Sequence, residues 1–168
     1  MAAGNTYEAI ATTTTSGSPS TVTFTSIPST YTDLVLVSNV KMSTGKTMTV
    51  AVNDSASGYS QTNLYGTGAN AISNRNTSQT AGIRYMGEQA NVSTTNFDLS
   101  ILQVMNYSNT TTYKTFLCRT TQPSATTEAI VGLWQNTAAI NKIVIAPLGG
   151  GATFADGCIF SLYGIKSA

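Results

Sequence analysis

"FADGCIFSLYGIK", residues 154–166, alternates in a way that decides the fold class. Phe154, Cys158, Phe160, Leu162 and Gly164 share one parity, while Ile159, Tyr163 and Ile165 share the other. Successive strand side chains point to opposite faces, so apolar bulk lies on both sides, with more on the first. Such a segment belongs inside a packed layer, although only Ser167 and Ala168 follow it. The expectation is a closing strand within a packed layer, whose Phe160, Leu162, Tyr163 and Ile165 serve the core or assembly.

Working outward, the same signal recurs through the chain. "YTDLVLVSNV" (31–40) alternates Tyr31, Asp33, Val35 and Val37 with Leu34 and Leu36, and "FDLSILQVMNY" (97–107) is mostly apolar. Runs of Val, Ile, Thr, Phe and Tyr cut by turn residues predict strands near 6–12, 21–26, 31–40, 46–53, 97–106, 112–120, 128–135, 140–146 and 157–166, with a weaker one at 80–86. No segment repeats apolar residues at helical spacing over three turns. "NTAAI" (136–140) could form one helical turn capped by Asn136, and residues 53–65 and 66–79 read as loops. Many short strands without helices predict an all-β, antiparallel β-sandwich of about eight to ten strands. A jelly-roll-like pair of four-stranded sheets is the expected form. Residues 1–20 read as an N-terminal strand or arm followed by a flexible linker, and 21–168 as a single β-sandwich domain. Trp134 alternates with Gly132 and Ile130, which assigns it to the core.

Composition narrows the function. Charged residues make up 9% of the 168 positions, against a typical ~25%, and Thr, Ser, Asn, Gln and Gly take their place. The net charge is +1 and no basic patch exists, which argues against a nucleic-acid partner. No run approaches the ~18 apolar residues of a spanning helix, and the N-terminus shows no secretion signal. Repulsion between copies is weak at such a net charge, so association costs little electrostatically. Cys118 and Cys158 read as small buried hydrophobes, a disulfide being the minority alternative.

Chemistry finds little support. There are no histidines, which removes the usual general base and the usual zinc ligand. Glu8, Asp33, Asp54, Glu88, Asp98, Glu128 and Asp156 form no local motif for a catalytic pair. "GTGAN" (66–70) and "LGGG" (148–151) lack the following helix and lysine that a phosphate loop needs. Tyr59, Tyr65, Tyr85, Tyr107, Tyr113 and Trp134 could include a sugar-stacking platform, or could pack the core and an interface. The expectation is therefore a protein that is not an enzyme, with no catalytic residues, no cofactor and no metal.

"VGLWQNTAAINKIVIAPLGGGATFADGCIFSLYGIK" (131–166) resembles the end of small β-rich virion proteins of tailed bacteriophages, cyanophages included. There a Trp strand, a short turn, an Ile-rich strand, a Gly-containing loop and a closing "F-x-LYGI" strand follow in that order. "FTSIPSTYTDLVLV" (24–37), "VND" (52–54), "GYSQTNLYGTG" (58–68) and "NYSNTTTYKT" (106–115) fit the same family in order, so the resemblance runs from about Val22 onward. It implies a structural virion component assembled in the host bacterial cytoplasm, without catalytic residues. The favoured role is a capsid decoration or cement protein, a homotrimer bound to the major capsid protein or other virion proteins, with residues 1–12 as an arm toward a neighbour. The alternatives are a tail, baseplate or fibre-tip component that binds a receptor glycan, and a sugar-binding module.

Overall fold

The computed structural model describes residues 6–123 and 125–166, and its regular structure is all strand. In chain order these are β1 (Tyr7–Thr14), β2 (Val22–Phe24), β3 (Asp33–Val40), β4 (Met48–Val52), β5 (Tyr59–Gly66), β6 (Ala71–Gln79), β7 (Ile83–Met86), β8 (Asp98–Met105), β9 (Lys114–Gln122), β10 (Thr126–Trp134), β11 (Ile143–Pro147) and β12 (Ile159–Ile165). Two antiparallel sheets result. The larger runs β1-β12-β3-β8-β9-β10-β5-β6 and the smaller β2-β11-β4-β7. The all-β, antiparallel sandwich is as expected, but twelve strands are divided eight and four rather than four and four.

The two strands beyond the ten expected, β5 and β6, come from residues read as loops. In β5 the inward positions are Tyr59, Gln61, Asn63 and Tyr65; two amides among them conceal the apolar period. β6 is rich in Asn and Ser and exposed along most of its length, so its ladder to β5, not burial, holds it extended. The helical turn expected at 136–140 does not form. Instead, the Ala138 N–H donates to Asn136 Oδ1 at 2.8 Å, a side-chain turn that satisfies the backbone locally.

The core lies between the sheets. Trp134 stacks on Tyr59 with ring centroids 6.3 Å apart, and its indole N–H donates to Ser55 Oγ at 3.2 Å. Phe154 meets Phe160 edge to face at 5.1 Å, and Leu162 is buried beside them. Two glycines permit close packing. A Cβ on Gly132 would stand 2.7 Å from Ile83 Cδ1, so its absence lets β7 settle onto β10. Gly164 is overlaid by the Tyr31 ring in the same way.

The closing strand β12 is enclosed, with β1 on one side and β3 on the other. Phe160 and Leu162 face the core as expected. Tyr163 and Ile165, expected in the core or in assembly, are not core residues: they point to the opposite, outer face and are half-buried, because strand parity sends them away from the small sheet. β1 pairs along β12 with a bulge between Ala9 and Ala11. Beyond it, Thr15 is pinned: its N–H donates to Cys158 O and its hydroxyl to Ala155 O, at 2.9 and 2.6 Å. Of the expected arm and linker, residues 1–5 lie outside the described residues.

Candidate assembly face

β8, β9, β10 and β5 lie side by side at the centre of the large sheet, and their registers align the side chains in rows. One outward row reads Gln103, Leu117, Val131, Thr62; the next reads Ile101, Arg119, Ala129, Leu64. Leu99 extends the patch on β8. Leu64 and Val131 are more than half exposed, at 57% and 52%, and Leu99, Ile101 and Leu117 follow at 41%, 37% and 39%. An antiparallel sheet with one face in water is ordinarily polar outward. Here exposed aliphatic side chains stand together among a few Thr, Gln and Arg residues.

The opposite face of the same strands inverts the pattern again. Asp98, Ser100, Thr120, Gln122, Thr126, Glu128, Gln61 and Asn63 all point inward and are buried. They survive there through hydrogen bonds. Ser93 N–H donates to Asp98 Oδ2 at 2.8 Å, Gln122 Nε2 to Asn91 O at 2.8 Å, and Thr126 Oγ1 to Gln122 Oε1 at 2.8 Å. Gln61 binds the β7 backbone in both directions, through Arg84 N and Arg84 O. Glu128 Oε1 accepts from Gln89 N–H at 3.1 Å, while its Oε2 and Asn63 Nδ2 have no hydrogen-bond partner among the described residues. Burial pushes the Glu128 carboxyl above its ordinary range. At this end of the sandwich the sheet buries polar groups and exposes aliphatic ones.

Between the outward side chains lies a groove of about 520 Å³. Small residues, Thr62, Ser73 and Ala129, lie beside larger ones, Leu64, Ile101, Leu117 and Val131. Arg119 is the charged residue of its lining and has no carboxylate within 4.0 Å among the described residues. Arg75, opposite Thr62, and Asp33, at the start of β3, lie farther out on the same face. Asp33 already accepts from Gln103 Nε2 and Asn106 N–H, at 3.0 and 2.8 Å.

The residues singled out from sequence are dispersed around this face. Trp134, Phe160 and Leu162 are core, whereas Tyr163 and Ile165 extend the outer face toward β1. Tyr59, Tyr65, Tyr85 and Tyr107 are buried, which removes them from any sugar platform; Tyr113 is exposed. Cys118 and Cys158 are free and buried, and burial pushes the Cys118 thiol up to about 12. The carboxylates are spread out. Glu8 meets Lys166, which holds its carboxyl below the usual range; Asp54 meets Lys142 and Glu88 meets Arg84. Leu64, Leu99, Ile101, Leu117 and Val131 escaped sequence reasoning. Their signal was in β8, where Leu99 and Ile101 alternate with Asp98 and Ser100. Comparison with family models, curated proteins and solved structures returned no match to this chain.

Proposed function

We propose that this chain is a structural virion protein of a tailed bacteriophage that acts by assembly, most specifically as a decoration or cement protein of the head. The observation that carries the assembly role is the apolar outer face of the large sheet, with Leu64, Leu99, Ile101, Leu117 and Val131 open to solvent in a lone chain. Contiguous exposed apolar surface of this kind marks protein–protein contact. The resemblance in order from Val22 to the closing "LYGI" supports the virion as the place of that contact.

A cement protein lowers the free energy of the closed shell. Each copy touches neighbouring shell subunits, so its binding free energy must be lost before they separate. Repeated over many sites, that resistance grows through multivalency. The low charge suits this task, since like copies can crowd on one surface with little repulsion.

The test is the copy number of the chain in purified particles, by quantitative mass spectrometry. A number on the scale of the shell subunits is the expected result. A few copies per particle would assign the chain to the tail, and none would remove it from the virion.

A further inference from the structure

Resting on that reading of the outer face as an assembly face, we propose that its occupant is a second copy of this chain, stacked sheet on sheet about one two-fold axis. The inverted patterning is the starting observation. β8 buries Asp98 and Ser100 while exposing Leu99 and Ile101, and β5 buries Gln61 and Asn63 while exposing Leu64. A lone chain is penalised on both faces, by polar burial and by apolar exposure. Covering the outer face removes the second penalty and turns the large sheet into the middle layer of a thicker body.

The size of the face fits a pair. The six adjacent strands whose outward rows carry apolar side chains, β12-β3-β8-β9-β10-β5, spaced ~4.8 Å apart with about four outward residues each at ~6.8 Å intervals, give a footprint on the order of 800 Å². A stable interface uses about 800 Å² per partner. The shape fits as well. Stacked sheets lie about 10 Å apart with interdigitated side chains, and here small Thr62, Ser73 and Ala129 lie beside protruding Leu64 and Val131. A two-fold axis set between these rows places the protrusions of each copy over the recesses of the other.

Symmetry selects the pair over a ring. An isologous contact uses one patch twice, whereas a ring needs two different complementary patches. The exposed aliphatics of β5, β8, β9 and β10 form one contiguous patch. The net charge of +1 leaves little repulsion to overcome, and the main electrostatic opposition is Arg119, present once per copy. Salt therefore strengthens the pair by screening the two guanidinium groups. A pair also has the right form for a cement, since it offers two identical sets of remaining surfaces to neighbouring shell subunits.

Sedimentation velocity of the full chain, from about 1 to about 100 μM where interfaces of this size can have their weakest affinities, should show a concentration-dependent species of two chains that gains with added salt. The double variant Leu64→Asp/Val131→Asp should weaken it by about 100-fold or more, through burial of unpaired charge. Both residues are over half exposed, so circular dichroism and the melting temperature should remain close to wild type. Leu64→Thr/Val131→Thr keeps β-propensity and decides the matter if the aspartates impair folding, with an expected loss in the same direction. A wild-type monomer throughout, a three-chain species, or a pair indifferent to both variants would overturn the proposal. Particle incorporation separates the two readings. A monomeric chain whose incorporation is lost in the variant leaves the structural role standing and transfers the face to a shell subunit. A pair that never enters particles keeps this inference and removes the virion role.

Discussion

Gly164, the glycine of "LYGI", is open to a direct test. A Cβ built there would come within 3.0 Å of three Tyr31 ring atoms, including Cγ at the root of the ring. The ring cannot simply swing aside from its root. The adjoining backbone is tied to β12, because Thr32 N–H donates to Ile165 O at 2.8 Å and Thr32 Oγ1 to the same oxygen at 2.9 Å. Gly164→Ala should therefore force Tyr31 outward and separate its hydroxyl from Glu8 Oε2, now 3.1 Å away. Overpacking of this kind costs roughly 1–3 kcal/mol. Removing a strand glycine returns about 0.5–1 kcal/mol of backbone entropy, leaving a net loss of roughly 1 kcal/mol at the middle of the two ranges. Urea unfolding with linear extrapolation measures it. The same substitution in a Tyr31→Ala background should be neutral or stabilising by about 0.5 kcal/mol, since only the entropy gain remains. If Gly164→Ala is harmless in the wild-type background, or equally harmful in both, the Tyr31 seat is not what this glycine provides.

Other expectations follow from buried groups. Lys114 is fully buried and its Nζ donates to the carbonyls of Asn109, Thr112 and Thr137 at 2.6, 2.8 and 3.1 Å. Lys114→Met should cost about 2–3 kcal/mol in chemical denaturation, by leaving those acceptors unpaired. Because the folded Glu128 carboxyl is raised above its ordinary 4.5, its contribution to stability is fully present below that value and is lost as pH rises through the folded pKa. Glu128→Gln should flatten that fall in a pH series of melting temperatures; an unchanged slope would clear Glu128 as its source. With its thiol pushed up to about 12 by burial, Cys118 should resist thiol reagents at neutral pH in the folded chain and react promptly in urea. Gly132→Ala, which meets Ile83 at 2.7 Å, should lower the melting temperature, and Ile83→Ala should relieve that added loss in the double variant.

The fold was legible wherever a strand was apolar on one face or along most of its length. β3, β8 and β12 announced themselves this way, and Trp134 was assignable to the core from its parity with Ile130 and Gly132. β5 was concealed by Gln61 and Asn63, which point inward and are paid for by hydrogen bonds to each other and to Arg84. β6 has no burial pattern to read, since its pairing with β5 holds it in place. The candidate assembly face was hidden for a related reason. Alternation separates a strand's two faces but does not say which one meets water. In β8, polar Asp98 and Ser100 go inward, so the usual assumption selects the wrong side. Only the position of the small sheet resolves it. For Tyr163 and Ile165, parity separated them from Phe160 and Leu162 on β12, and the position of the small sheet assigns them to the outer face.

The central claim is that protein covers the outer face of the large sheet when the chain is at work. Hydroxyl-radical labelling of Leu64, Leu99, Ile101, Leu117 and Val131, in assembled particles and in dilute free chain, measures this directly. The account predicts strong protection of these side chains on assembly, with Tyr113, on the loop before β9, as a reference position off the sheet face. Equal labelling of the five in both states would contradict it.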